Sequence, residues 1–256
     1  MTSPLCLAVT LVLLQAEAAP PAPPAGPEQT PPSEDVARRA EVTPRPRDRK
    51  RTQYLLASSG LMLNGGEGSL SQTAFLLSSF SYGVTDHLTL QAGTVLPVWG
   101  LGLANGYGGL KVGGSPGERL HLSAAVHAGA LRPFTSPSTV LGATLQGTAT
   151  YGTPDGHVSL GVIAPVWHTA SDPRALGLAV TLSGSLRVSH GVALMTEHWV
   201  VPVGLSLRNQ LPLANAAAVR LLGDHWTVDL GLMRLPLEGQ PAWLPLPWLD
   251  VTYTFG

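Results

Sequence analysis

The residue types that most often carry chemistry are few in this chain, and their spacing is poor for it. There are eight histidines and one cysteine. No His-Glu-x-x-His and no paired metal-ligand spacing occurs among them, so no metal site is predicted. His87, His157, His190 and His225 fall at turns of different hairpins. His121 and His127 share one strand face but are six residues apart, roughly 20 Å, too far to hold one ion. Gly113-Gly114-Ser115-Pro116-Gly117 matches the G-x-S-x-G pattern of a nucleophile elbow. That elbow uses the backbone N–H after the serine in its oxyanion hole, and Pro116 has none. A lone histidine near Ser123 is the remaining serine–histidine option for acyl chemistry. The chain therefore reads as a non-enzyme without cofactor.

The charged side chains carry more information, and their meaning depends on which way the backbone points them. Period-two alternation marks Leu120/Leu122/Ala124/Val126/Ala128 against His121/Ser123/Ala125/His127/Gly129, and Leu176/Leu178/Val180/Leu182 against Gly177/Ala179/Thr181/Ser183. Val158/Leu160/Val162 and Trp226/Val228/Leu230/Leu232 repeat the pattern against small or polar partners. Alternation of this kind belongs to strands with one apolar and one polar face. Twelve such segments run from residue 52 to 255, near 52–63, 70–82, 87–98, 105–113, 119–131, 139–151, 157–167, 175–188, 191–201, 214–222, 225–235 and 246–255. Ten is the alternative count, because the first, second and ninth alternate poorly.

Composition says what such strands must face. Charged residues make up 12% of the chain, against about 25% in an average soluble domain. Residues 28–51 hold twelve of the thirty-one charges, which leaves the strand region sparsely charged. No apolar run after the N-terminus approaches the 18 or so residues of a membrane helix. These facts favour strands that cross a bilayer as a closed barrel, and the net charge of −1 gives nothing that points to nucleic acid. Connections agree. Gly83-Val84-Thr85-Asp86, Gly114–Glu118, Gly152–Gly156, Ser189-His190 and Gly223-Asp224 are compact and rich in turn formers. The longest connections, 202–213 and 236–245, fall on the opposite end. Trp99, Trp167 and Trp248 fall at one set of strand ends, and Tyr54, Tyr82, Tyr151, Trp226, Tyr253 and Phe255 at the other, as an interfacial aromatic girdle requires.

The last stretch, Trp248-Leu-Asp-Val-Thr-Tyr-Thr-Phe-Gly256, is an amphipathic strand ending in aromatics. It resembles the closing strand of Gram-negative outer-membrane β-barrels, which are porin-like in architecture; Gly256 after Phe255 departs from the usual terminal aromatic. The resemblance implies that Tyr253 and Phe255 form an assembly signal read by the barrel-assembly machinery. It also implies an outer-membrane location among outer-membrane lipids, with both termini periplasmic.

The N-terminus precedes this barrel. Leu5–Leu14 and the Ala16-Glu17-Ala18 cleavage pattern read as a signal peptide over 1–18, which removes Cys6. Residues 19–51, rich in proline and arginine, read as a disordered periplasmic linker. Its Arg45–Arg51 cluster is either solvated or in contact with lipid headgroups or cell wall. The barrel occupies 52–256. Parity then places Arg187, Arg220, Asp229 and Asp250 inside it. Glu197 goes inward too, because a carboxylate facing lipid is costly. Lys111 lies on the far wall. These charges form a ladder of ion pairs, a constriction that sorts solutes, or both. The function this supports is a small, weakly selective passive pore for polar solutes. The alternatives are a lipid-modifying enzyme and a structural or adhesion barrel without an open path.

Overall fold

In a computed structural model, the described residues are 46–74, 76–95, 103–133, 139–169, 172–175, 178–200, 213–234 and 245–256. The predicted signal peptide and the linker up to residue 45 lie outside them, as does Trp99.

Thirteen strands form: β1 (Gly68–Thr73), β2 (Leu77–Thr85), β3 (Leu88–Val95), β4 (Leu103–Gly114), β5 (Leu120–Pro133), β6 (Val140–Thr153), β7 (Gly156–Thr169), β8 (Asp172–Ala175), β9 (Ala179–Ser189), β10 (Val192–Val200), β11 (Leu213–Leu222), β12 (Trp226–Arg234) and β13 (Leu246–Phe255). All pairings are antiparallel. Each strand joins its chain neighbour, except that β9 pairs with β7 and not with β8, and β1 pairs with β13 to close the sheet. Short β8 is not a separate stave. It and β9 pair with the same strand, β7, in registers offset by one residue (Val166↔Ala175 and Ile163↔Ala179), the signature of a bulge within one stave. The result is a closed, twelve-stave, up-and-down barrel, the architecture of transmembrane β-barrels.

Alternation explains its two faces. Leu110, Leu122, Leu145, Leu160, Leu182 and Leu230 are exposed on the outside, where a bilayer satisfies them. Their chain neighbours Lys111, Ser159, Thr181, Ser183 and Asp229 are buried inside. A closed sheet leaves no open edge, so the backbone groups of the paired strands are satisfied within the wall.

Twelve staves match the expected number, but two of the expected segments are drawn differently. Segment 70–82 is two strands. The chain reverses at Thr73–Leu76, where Leu76 N donates to Thr73 O over 2.9 Å and Ala74 takes φ 49°. No Gly, Pro, Asn or Asp marks this turn, so nothing in its composition signals it. Segment 52–63 is not a strand. Its only ladder contact is an isolated bridge, Gln53↔Ser58. Most of its apolar residues are buried without a period of two: Tyr54, Leu55, Ala57, Leu61 and Leu63, while Leu56 is exposed. This stretch, with residues 46–51 of the expected linker, lies inside the barrel as a plug. The linker assignment is corrected for 46–51, and the barrel wall starts at Gly68 and not at residue 52.

The plug both begins and ends at the tight-turn end of the barrel. Pro46 O accepts from Arg187 Nη2 at the rim, and Arg49 Nη1 donates to Gly256 O at 3.1 Å. On its other side, Asn64 to Glu67 turns the chain into β1 (Glu67 N to Asn64 O, 3.0 Å). Gly65 N there donates to Asp86 Oδ1 of the β2–β3 turn at 2.8 Å.

Candidate functional site: a lumen closed at one end

The lumen is built by inward positions, and what they touch is the plug. Arg220 on β11 and Asp229 on β12 are register partners. Arg220 Nε donates to Asp229 Oδ1 at 2.8 Å and Nη2 to Oδ2 at 3.0 Å, a bidentate pair with both residues fully buried. The same guanidinium reaches the plug through Asp48 Oδ2 at 3.1 Å, Lys50 O at 3.2 Å and Gln53 O at 3.0 Å. Asp250 on β13 is the register partner of Asp229. Two carboxylates side by side would repel, and Lys50 of the plug resolves this. Its Nζ donates to Asp229 Oδ2 at 2.8 Å and also to Asp250 Oδ1. Asp250 further accepts from the hydroxyls of Thr73 and Thr252.

Glu197 on β10 stands apart from this group. Its carboxylate is fully buried and accepts three successive backbone N–H groups of the plug. Leu55, Leu56 and Ala57 lie 3.0, 3.1 and 3.0 Å from Oε2, and the Trp199 indole N–H reaches Oε1. Concave runs of N–H groups of this kind are anion seats. Here the anion comes from the wall and the seat from the plug. Lys111 on β4, across the lumen, does the opposite. Its buried ammonium meets no carboxylate among the described residues and donates to Ser59 O at 2.7 Å, Leu61 O at 2.9 Å and Thr52 O at 3.3 Å. The remaining wall contacts are hydroxyls. Tyr54 bonds Ser159 Oγ at 2.7 Å, and Gly60 N donates to Thr150 Oγ1 at 2.6 Å. Burial pushes the Tyr54 phenol above its ordinary range, against the opposing effects of the Ser159 hydroxyl and Arg220, so it stays neutral. Leu55 closes the apolar part of the contact against Met195, Ala216, Ala218, Met233 and Trp248.

The plug thus touches β4, β5, β6, β7, β10, β11, β12 and β13. Its backbone polar groups, which a buried segment must satisfy somehow, are satisfied by wall side chains in place of a ladder. Glu67 locks the exit. Burial would raise its pKa. The Asn64 N–H at 2.9 Å, the Arg51 hydrogen bond at 2.8 Å and the charges of Arg51 and Arg47 outweigh this, and hold the carboxyl below its usual range.

Further along β3 to β5, two rings pack against wall glycines. Tyr107 on β4 lies flat over Gly93, where a Cβ would come within 2.4 Å of its ring. His127 likewise lies over Gly109, within 2.3 Å, and donates from Nε2 to Gln91 Oε1 at 2.7 Å.

Of the six charges expected in the lumen, Lys111, Glu197, Arg220, Asp229 and Asp250 are fully buried facing the plug. They do not form a continuous ladder. Only Arg220, Asp229 and Asp250 are neighbours. Glu197 has Ala216 and Ser183 as its register partners. Arg187 sits at the rim, paired with Asp155 Oδ1 at 2.8 Å and with His190 O at 2.9 Å. The expectation assigned these charges to one another, whereas each of the five buried ones reaches the plug. The plug residues Asp48, Lys50, Arg51 and Tyr54 were not expected here. The available signal was an excess of inward carboxylate at Asp229 and Asp250 with only Arg220 beside it.

The aromatic ends are also placed. Trp226 and Tyr253 pack at 4.8 Å and Phe80 stacks on Phe255 at 6.5 Å on the outside of the turn end. Tyr54 and Trp248 are corrected: both face the lumen and belong to the plug contact, not to a girdle. The side chain of Trp167 lies outside the described residues. The Ser115 hydroxyl meets His121 Nδ1 at 2.6 Å and His121 Nε2 meets Gly152 O at 3.2 Å. This contact braces two exposed turns, and the expected Ser123 instead donates to Ser59 O of the plug at 3.3 Å.

No family model matches the chain, and no curated protein does. Solved barrels are similar to it at low identity. The KdgM porin, solved in complex with disordered oligogalacturonate, is 9% identical, over 74% of this chain and 98% of that one, with a TM-score of 0.49. The NanC porin is 9% identical over 73% and 97%, with a TM-score of 0.40. Omp33 of Acinetobacter baumannii is 10% identical over 74% and 96%, with a TM-score of 0.38.

Proposed function

We propose that this protein is an outer-membrane pore for the passive diffusion of small polar solutes, held at rest by its own N-terminal plug in the turn-side half. The tight turns and both termini face the periplasm, the barrel-assembly machinery reads the strand ending in Tyr253 and Phe255, and the chain before Pro46 lies near the cell wall. One observation carries the reading: the wall does not fill its own lumen. Its inward side chains are mostly small or hydroxylated, and the turn-side half is filled by a separate segment, residues 46–64, whose polar backbone they satisfy.

The wall carries Lys111, Arg187 and Arg220 against Glu197, Asp229 and Asp250, so signs balance and selectivity between small inorganic ions is weak. Fixed charges on a narrow wall act strongly on passing ions. Arg187→Ala with Arg220→Ala shifts the reversal potential toward cations, and Glu197→Ala with Asp229→Ala shifts it toward anions. Planar-bilayer recording tests the proposal directly. Wild type gives rare openings in a salt gradient, and Lys111→Met, which strips three plug carbonyls of their donor, raises open probability. Folded protein that never conducts, in either form, removes the pore.

A further inference from the structure

Asp250 is distinct among the lumen charges. Asp229 has a wall cation, Arg220, in bidentate contact. Asp250 has none: among the described residues its cationic partner is Lys50, which belongs to the plug. With the plug seated, the wall thus contributes two buried carboxylates and one guanidinium to this cluster. An isolated buried charge is costly enough that it is either neutralised or paired. The wall is one ammonium short, and a lysine head on an aliphatic stem sits in that place now.

We propose that the Asp229–Asp250 seat is a binding subsite for the primary ammonium groups of cationic aliphatic solutes, which Lys50 fills in the resting channel as a tethered occupant. The proposal rests on the pore reading for the passage of such solutes, but the seat itself is independent of it. Its geometry selects the head group. Lys50 Nζ gives one N–H to Asp229 Oδ2 at 2.8 Å and another to Asp250 Oδ1, while the Thr73 and Thr252 hydroxyls donate to the remaining capacity of Asp250. A compact donor with several N–H groups fits. A quaternary ammonium has no N–H to give, and a hydrated sodium ion has no stem to lie along the site. Exchange of one ammonium for another keeps the carboxylates desolvated and paired throughout. The large opposing costs and gains of a buried ion pair thus cancel between the two states. In the wild type a free solute competes with a lysine held in place by the docked plug, so the seat is read most directly in a variant that lacks Lys50.

The test uses the full-length protein in bilayers and in detergent. In Lys50→Ala the seat is vacant and the plug amides of residues 46–64 exchange faster with deuterium. Millimolar n-butylammonium or 1,4-diaminobutane restores their protection, and tetramethylammonium or sodium at equal ionic strength does not. Lys50→Met with Asp250→Asn removes both the need and the seat, so its plug exchange is indifferent to amines. Should Lys50→Ala fail to assemble, wild-type reversal potentials decide. A several-fold permeability preference for n-butylammonium over tetramethylammonium, lost in Asp250→Asn, supports the seat. Equal restoration by tetramethylammonium, no restoration by any amine, or in the wild-type arm equal permeability of the two cations, overturns it. Amine restoration in a protein that never conducts leaves the seat and removes the pore; conduction without amine response does the reverse.

Discussion

Glu197→Gln is the smallest change that separates the plug from the wall. The substitution keeps the side chain's shape and removes one acceptor and the charge. In the native contact one oxygen takes the N–H groups of Leu55, Leu56 and Ala57, and the other takes the Trp199 indole. A carboxamide has only one oxygen. If that oxygen faces the plug, the NH2 group meets the indole N–H, donor against donor; if it faces the indole, three backbone donors lose their acceptor. A hydrogen bond to a charged group is worth about 1.5–3 kcal/mol, and either orientation loses at least one while weakening the rest. About 3 kcal/mol of docking free energy is expected to go, which is roughly a hundredfold rise in the undocked fraction at tenfold per 1.4 kcal/mol. The assay is hydrogen exchange resolved to peptides covering 52–60, with the barrel strands as internal reference. Exchange at 55–57 accelerates by about two orders of magnitude while β5–β7 stay protected. Unchanged exchange at 55–57 in a folded Glu197→Gln barrel would refute the idea that this carboxylate holds the plug.

Other expectations follow from single contacts. Gly60→Val forces a Cβ to within 2.5 Å of the His121 carbonyl oxygen, so the plug backs away from β5; limited proteolysis cuts near residue 60 in the variant and not in wild type. Deleting Tyr253–Gly256 removes three of the six register pairs that close the sheet between β1 and β13, and the protein is lost from the heat-modifiable, membrane-inserted fraction. The Glu67 lock is acid-labile. Because its folded pKa is depressed, its contribution is present above the ordinary value of 4.5 and is lost as pH falls through the lower folded value. Plug exchange therefore accelerates in acid, and Glu67→Gln flattens that dependence while raising exchange at neutral pH.

How far the sequence reveals this molecule depends on the kind of interaction involved. The outer wall is legible because lipid enforces a strict period of two: Leu178, Leu182 and Leu230 could face only outward, and they are exposed there. Tight turns with Gly, Asp or Ser are equally legible. The turn at Thr73–Leu76 is not, since its residues are ordinary strand formers. The plug escapes for a different reason. Tyr54, Leu55 and Leu56 look like the start of a strand because they are apolar, but no local pattern records that Glu197, some 140 residues later, takes the amides of Leu55, Leu56 and Ala57. Lys50 and Arg51 look like linker because charge-rich, proline-rich sequence fails to make a core alone. Their partners Asp229 and Asp250 lie in the barrel and Glu67 in the turn leading into it, and a composition window sees only one side of each pair. Parity identified the inward charges without identifying what they bind.

Because Pro46 and Glu67 lie at the same mouth, the described plug, residues 46–67, is a doubled-back loop and not a thread. This segment does not run through the barrel from one mouth to the other. Occupied and vacant barrels share one topology and one closed sheet, so they interconvert without breaking the β1–β13 seam. Whether the lumen is filled is then a matter of equilibrium, reset each time the loop lets go, and a mature barrel that has lost its plug can take it back.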